Sequence, residues 1–74
     1  MKLKEAQNIS GYKFLFVFEN GEKKEANIEP LISKYVSKDE TNTAHVDEEW
    51  GCLEFKNGSV DIEPKTLYTF VKSA

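Results

Sequence analysis

From Tyr12 to Phe18 the chain reads Tyr-Lys-Phe-Leu-Phe-Val-Phe, with an aromatic ring at every second position, and Glu19-Asn20-Gly21 follows at once. A period of two belongs to a β-strand, in which alternate side chains share a face. A helix would scatter Tyr12, Phe14, Phe16 and Phe18 around its circumference; a strand gathers them on one side, and that side must be buried. Asn20-Gly21 suits the two positive-φ positions of a type I′ turn, so the spacing predicts a hairpin. Its return strand, about 22–28, sets Lys24, Ala26 and Ile28 on one side and Lys23, Glu25 and Asn27 on the other.

The same alternation turns Leu15 and Val17 away from the rings. On an antiparallel sheet with one solvated face, those positions are expected to be polar. Two covers are open: a helix or the amino-terminal strand of the same chain, or a dimer or partner surface. In the second case Trp50 or Tyr68 stands at its edge, since aromatic residues are enriched at interfaces.

Two words recur in the same order. Phe18-Glu19-Asn20-Gly21 leads to Asn27-Ile28-Glu29-Pro30, and Phe55-Lys56-Asn57-Gly58 leads to Asp61-Ile62-Glu63-Pro64. Each proline is placed to open a helix, because its missing N–H costs nothing in the first turn. Leu31, Ile32, Tyr35 and Val36 share one side of the first helix, and Leu67, Phe70 and Val71 form a buried stripe on the second. Between the units, 37–43 reads as a polar loop, 43–47 as a strand, Glu48-Glu49 as a turn and 50–55 as another strand; a brief extended piece precedes Asp61. Residues 2–9 add a strand at the start, with Ser10-Gly11 as its turn. The expectation is one α+β domain over 1–74: an antiparallel sheet of four to five strands with two helices, in the order β-β-β-α-β-β-α.

With 39% hydrophobic and 31% charged residues the chain is too apolar for a disordered tail, and it has no apolar run near the roughly 20 residues of a membrane helix. No signal peptide is legible, and a lone cysteine makes no internal disulfide, so a cytoplasmic location is expected. The net charge of -3 argues against nucleic acid as a partner. Lys2, Lys4, Lys13, Lys23 and Lys24 nevertheless concentrate early, whereas Asp39, Glu40, Asp47, Glu48 and Glu49 concentrate in the middle.

No catalytic set is legible. His45 and Cys52 form a conceivable nucleophile–base pair, weighed against a solvent-facing histidine and a cysteine acting as a small hydrophobe. Asp47, Glu48 and Glu49 are oxygen ligands for a hard cation, but consecutive side chains diverge and the spacing is not that of a calcium loop. Asn27 and Asp61 are expected to bond backbone N–H groups near the two helix starts. No metal, cofactor or small-molecule substrate is expected.

Taken together, Tyr12-x-Phe14-x-Phe16-x-Phe18-Glu19-Asn20-Gly21, Asn27 to Ile32, Trp50 to Gly58 and Asp61 to Tyr68 resemble the small bacterial family known as domain of unknown function 2442. The resemblance covers nearly the whole chain and is most specific from Trp50 to Tyr68. Phe55 stands where that family commonly shows tryptophan, and 37–43 is shorter than the usual connection. The resemblance implies a compact α+β domain. Some such proteins are joined to a helix-turn-helix domain, and some are encoded beside another small protein in a toxin–antitoxin-like arrangement. No helix-turn-helix segment is legible here, so only the partner role carries over. The expected function is that of a non-enzymatic, cytosolic protein-interaction module, antitoxin-like or accessory to a small neighbour-encoded protein or to its own copy. The alternative is a regulatory domain acting near nucleic acid through the amino-terminal lysines.

Overall fold

The computed structural model describes residues 1–73. Strands β1 (Leu3–Ser10), β2 (Lys13–Phe18) and β3 (Lys23–Asn27) form an antiparallel sheet in that order. Phe16 lies opposite Ala6 and Lys24, and Leu15 opposite Gln7 and Glu25. The aromatic alternation therefore forms the strand it predicts. Its hairpin turn differs from the type I′ expectation, because Asn20 is not among the residues with positive φ and Gly21 takes φ +89° alone. The Gly21 N–H donates to Phe18 O at 2.9 Å and the Phe18 N–H to Glu22 O at 2.9 Å, closing a three-residue loop whose last position is left-handed. This arrangement puts the positive-φ demand on the residue that meets it without a Cβ. The Asn20 side chain is then free to accept from the Glu22 N–H at 3.0 Å.

A second sheet follows, where one sheet of four to five strands was expected. After helix α1 (Glu29–Ile32) and a 3₁₀ segment (Lys38–Thr43) come β4 (His45–Val46), β5 (Leu53–Phe55) and β6 (Val60–Ile62), antiparallel in that order, and helix α2 (Pro64–Ser73). The piece before Asp61 thus pairs as a strand, and the order is β-β-β-α twice over. The repeated words mark the same step in each unit: central strand, turn, edge strand, helix start. The second Asn-Gly works one residue out of step with the first. Lys56 and Asn57 take φ 57° and 58°, the two positive-φ positions of a primed turn, and the Gly58 N–H donates to Phe55 O at 3.2 Å.

Two elements depart from the sequence pattern between the sheets. The first helix is a single turn, so Tyr35 leaves its apolar side and is 62% exposed, while Val36 stays buried. The expected polar loop is mostly 3₁₀ helix. Glu40 accepts the Ser37 N–H at 3.0 Å at its start, and Thr41 is buried with its hydroxyl donating to Lys38 O at 2.8 Å.

One core joins the two sheets and α2. Phe14, Phe16 and Phe18 are fully buried with Leu53, Phe55 and Leu67. Phe14 stacks on Phe16 at 5.6 Å and meets Phe55 edge-on at 6.0 Å. The physical reason for two sheets lies in this contact. Three rings on one strand need a cover, and β5 supplies it by laying Leu53 and Phe55 over them, which it could not do as a coplanar extension of the first sheet. The sheets meet at a backbone junction, where the Leu3 N–H donates to Gly51 O at 3.1 Å.

Candidate functional site

With the rings inward, the outer face of the first sheet carries Leu15 and Val17 at its centre, both half-buried. Glu5 and Lys23 flank Val17, and Gln7 and Glu25 flank Leu15. Lys13 closes the row with an ion pair to Glu25 at 3.1 Å. Neither expected internal cover lies over this face. The amino-terminal strand pairs beside β2 instead of over it, and α2 packs against Phe18 on the inner side.

The other two candidates lie elsewhere. Trp50 is 66% exposed in the turn between β4 and β5. That turn is held by Asp47, whose carboxylate accepts the Glu49 and Trp50 N–H groups, both at 3.3 Å. Tyr68 is half-buried on the inner side, edge-on to Phe18 at 4.9 Å. Its hydroxyl donates to Glu22 Oε1 at 2.6 Å, and the Lys72 ammonium sits 5.3 Å from its ring centre. Tyr68 ties α2 to the first hairpin. Leu15 and Val17 form a shared patch that Tyr68 and Trp50 do not extend.

The Tyr68 hydroxyl, and then Asn20, hold the Glu22 carboxyl below its ordinary value near 4.5. A carboxyl with a depressed folded-state pKa adds stability above its unfolded pKa, and that stability is lost as the pH falls through the folded value. Tyr68→Phe is therefore expected to lower the thermal midpoint at neutral pH and to flatten its decline from about pH 5 to pH 3. Identical acid limbs for the two proteins, measured by thermal melts at each pH, would show that this hydrogen bond contributes no linkage.

The early lysines do not make a stripe. Lys2 donates to Glu49 O at 2.9 Å, Lys13 is paired with Glu25, and Lys23 and Lys24 point to opposite faces of β3. His45 and Cys52 do share the outer face of the second sheet, together with Glu54 and Asp61. The His45 imidazole is bonded to Glu54 Oε1 at 2.8 Å. Burial pushes the Cys52 thiol up, and the carboxylates of Asp61, Asp47, Glu54 and Glu63 push it further. A reactive cysteine needs the opposite surroundings, because the thiolate is its nucleophilic form. Among the described residues no three His, Cys, Asp or Glu side chains are arranged to hold a metal ion. Asn27 accepts the Glu29 N–H at 2.9 Å, as expected at a helix start, while Asp61 lies on β6 opposite Glu54.

Sequence reasoning missed one surface. Shortening of the first helix opens a groove of about 260 Å³ between α1, β6 and α2, lined by Leu31, Tyr35, Val60, Asp61, Glu63 and Thr66 among others. The apolar pattern gave no signal of it, because Ser33 and Lys34 fall on the polar side of the helix that Leu31, Ile32, Tyr35 and Val36 predict.

No helix among the described residues is long and apolar enough to cross a membrane. No curated protein and no solved structure matches the chain. The model of a family described as "Protein of unknown function (DUF2442)" matches residues 3–73. That span takes in both β-β-β-α units and the junction between them, and the chain belongs to this family.

Proposed function

We propose that this domain is a non-enzymatic protein-interaction module whose docking surface is the outer face of the first sheet. One observation carries the reading: Leu15 and Val17 occupy the centre of a three-stranded face over which, among the described residues, neither the amino-terminal strand nor α2 is laid. An apolar pair there adds nothing to the core, whose rings point the other way, and a partner that takes its exposed half out of water is stabilised by doing so. The partner is a protein, either a further copy or a small protein encoded beside it that this domain accompanies as an antitoxin-like or accessory subunit.

Leu15→Lys/Val17→Lys tests the reading. Both positions point outward, so the double variant is expected to keep the far-UV spectrum of the wild type while weakening association at least tenfold by sedimentation equilibrium or by capture of a copurifying protein. Burial of two such side chains contributes roughly 1.5–3 kcal/mol each when complete, which is more than a tenfold change requires. A wild type that stays monomeric at every concentration and captures no specific protein from its own cells would end this proposal.

A further inference from the structure

We propose that Asn57 is a site of spontaneous covalent modification, where the side-chain amide is converted to a carboxylate through a cyclic imide, and that the fold protects Asn20 from the same reaction. Both residues are exposed, stand in turns and are followed by glycine. Asparagine is thermally labile, and a following glycine lacks the side chain that would screen the attacking backbone nitrogen. The chemistry is common to the two positions, so the difference between them comes from the fold.

Water is the only co-reactant. The Gly58 N–H gives its proton to hydroxide, and its nitrogen attacks Asn57 Cγ. The new N–Cγ bond closes a five-membered ring, the Cγ–Nδ2 bond breaks, and ammonia leaves after taking a proton from water. A further water then opens the ring. Addition at Cγ breaks the new bond and leaves aspartate in an ordinary chain. Addition at the main-chain carbonyl carbon breaks the original peptide bond and leaves isoaspartate, whose chain runs through Cβ and Cγ. Nothing is oxidised or reduced, and a neutral amide becomes a carboxylate by either route.

The two turns differ in what holds the amide. Asn20 is held at both ends by one residue: its Oδ1 accepts the Glu22 N–H at 3.0 Å, and its Nδ2 donates to Glu22 Oε1 at 2.7 Å. That carboxylate is itself fixed by the Tyr68 hydroxyl at 2.6 Å. Asn20 Cγ cannot swing onto the Gly21 nitrogen until both bonds break. Among the described residues the Asn57 side chain makes no hydrogen bond; its neighbours Lys56 and Ser59 make those of this turn. The attacking nitrogens differ in the same sense, since the Gly21 N–H lies 2.9 Å from Phe18 O and the Gly58 N–H 3.2 Å from Phe55 O.

Ring closure also requires the turn to open, and the second turn opens more readily. It joins β5 and β6, of three residues each, whereas the first joins strands of six and five residues. Lys56 and Asn57 both hold the left-handed backbone that strains a residue with a Cβ, so opening relieves strain that the first turn, with glycine in its left-handed position, does not store. Isoaspartate would put an extra backbone atom into the turn that sets Phe55 opposite Val60. Either product adds an acid where Glu54 already stands, 3.9 Å from the place of a Cβ on Gly58. The modification therefore loosens β6, one wall of the groove beside Tyr35.

The test ages the full chain at mildly alkaline pH, folded in buffer and unfolded in guanidinium chloride, and follows each asparagine by peptide mapping with mass spectrometry. In the folded chain Asn57 is expected to convert about tenfold faster than Asn20, because two side-chain hydrogen bonds hold one amide and none holds the other. In the unfolded chain the two rates are expected to agree within about a factor of two, since those bonds are gone. Labelling by an isoaspartate-specific methyltransferase identifies the rearranged product. Glu22→Ala removes the carboxylate from Asn20 and is expected to speed Asn20 severalfold while leaving Asn57 unchanged. Equal folded-state rates, or a faster Asn20, overturn the assignment, as does an Asn57 still intact when the unfolded chain has converted fully. An Asn20 rate that Glu22→Ala does not raise overturns the protection by Glu22.

Discussion

Phe14→Ala is expected to lower the stability of this domain by about 3–5 kcal/mol, the cost of removing a large side chain from a packed core. That is a large share of what a domain of this length has to lose, since net stabilities of about 0.05–0.15 kcal/mol per residue come to roughly 4–11 kcal/mol. The position concentrates the effect. Phe14 is fully buried, stacked on Phe16 at 5.6 Å and edge-on to Phe55 at 6.0 Å, so its ring is the contact through which the second sheet covers the first. Collapse cannot refill the space cheaply, because β2 is pinned on both sides by ladders to β1 and β3 that hold Asn8 and Ala26 opposite residue 14. The urea midpoint of Phe14→Ala should fall by about a third or more. Leu15→Ala, one residue away and half-exposed, should cost less than about 1 kcal/mol. A Phe14→Ala loss as small as that of Leu15→Ala would mean that the two sheets are held together by something other than the ring contact.

That contrast between neighbours was legible in the sequence, because a period of two assigns residues 14 and 15 to opposite faces whatever the rest of the chain does. The outward placement of Leu15 and Val17 followed from the same rule. On α2 the helical spacing put Leu67, Phe70 and Val71 on one stripe, and Leu67 and Val71 are buried while Phe70 at its edge is half-buried. What the alternation does not carry is the number of sheets. Strand pairing is decided by which edges meet, and β4, β5 and β6 are only two or three residues long. Their local pattern fits an extension of the first sheet as well as a cover for it. Only the demand of Phe14, Phe16 and Phe18 for burial chooses the cover, and that demand acts across thirty-five or more residues of chain to Leu53 and Phe55. Turn chemistry was read correctly as turns and incorrectly as a type. Asn20-Gly21 and Asn57-Gly58 are the same dipeptide, yet the left-handed positions fall on Gly21 in one and begin at Lys56 in the other. Loop length sets this, and loop length depends on where the strands stop.

The candidate surface divides in the same way. Leu15 and Val17 were placed by local periodicity, whereas Tyr68 belongs to a helix whose docking is a tertiary event. Its half-buried ring and its bond to Glu22 connect residues far apart in sequence. An aromatic residue on an amphipathic helix beside an apolar stripe is as easily a core-edge residue as an interface residue, and here packing against Phe18 takes it. The groove beside Tyr35 exists only because α1 stops after one turn, a boundary that neither propensity nor the apolar pattern fixes.

Gly51→Ala should be the most damaging of the glycine substitutions, at about 3 kcal/mol, with a fall in thermal midpoint of 10 °C or more for a domain of this size. Two effects add at this position. Gly51 takes φ +72°, where a side chain strains the backbone by itself. An added Cβ would also stand 2.5 Å from Lys2 Cβ and 2.9 Å from Lys2 Cα, and the second of these is backbone that cannot swing aside. The residue that would have to move is bonded into both sheets: Lys2 O accepts the Glu19 N–H at 2.9 Å, and the next residue, Leu3, donates to Gly51 O at 3.1 Å. Relief of the clash therefore breaks the junction between the sheets and loosens the start of β1, the strand that carries Glu5 to the outer face. Gly21→Ala is the control, since Gly21 has φ +89° but open space where the Cβ would go, so it pays the backbone term alone, about 1 kcal/mol. Chemical denaturation of the two variants separates the causes. A Gly51→Ala loss two to three times that of Gly21→Ala locates the difference in the contact with Lys2. Equal losses would show that the junction at Lys2 yields to an added Cβ without cost.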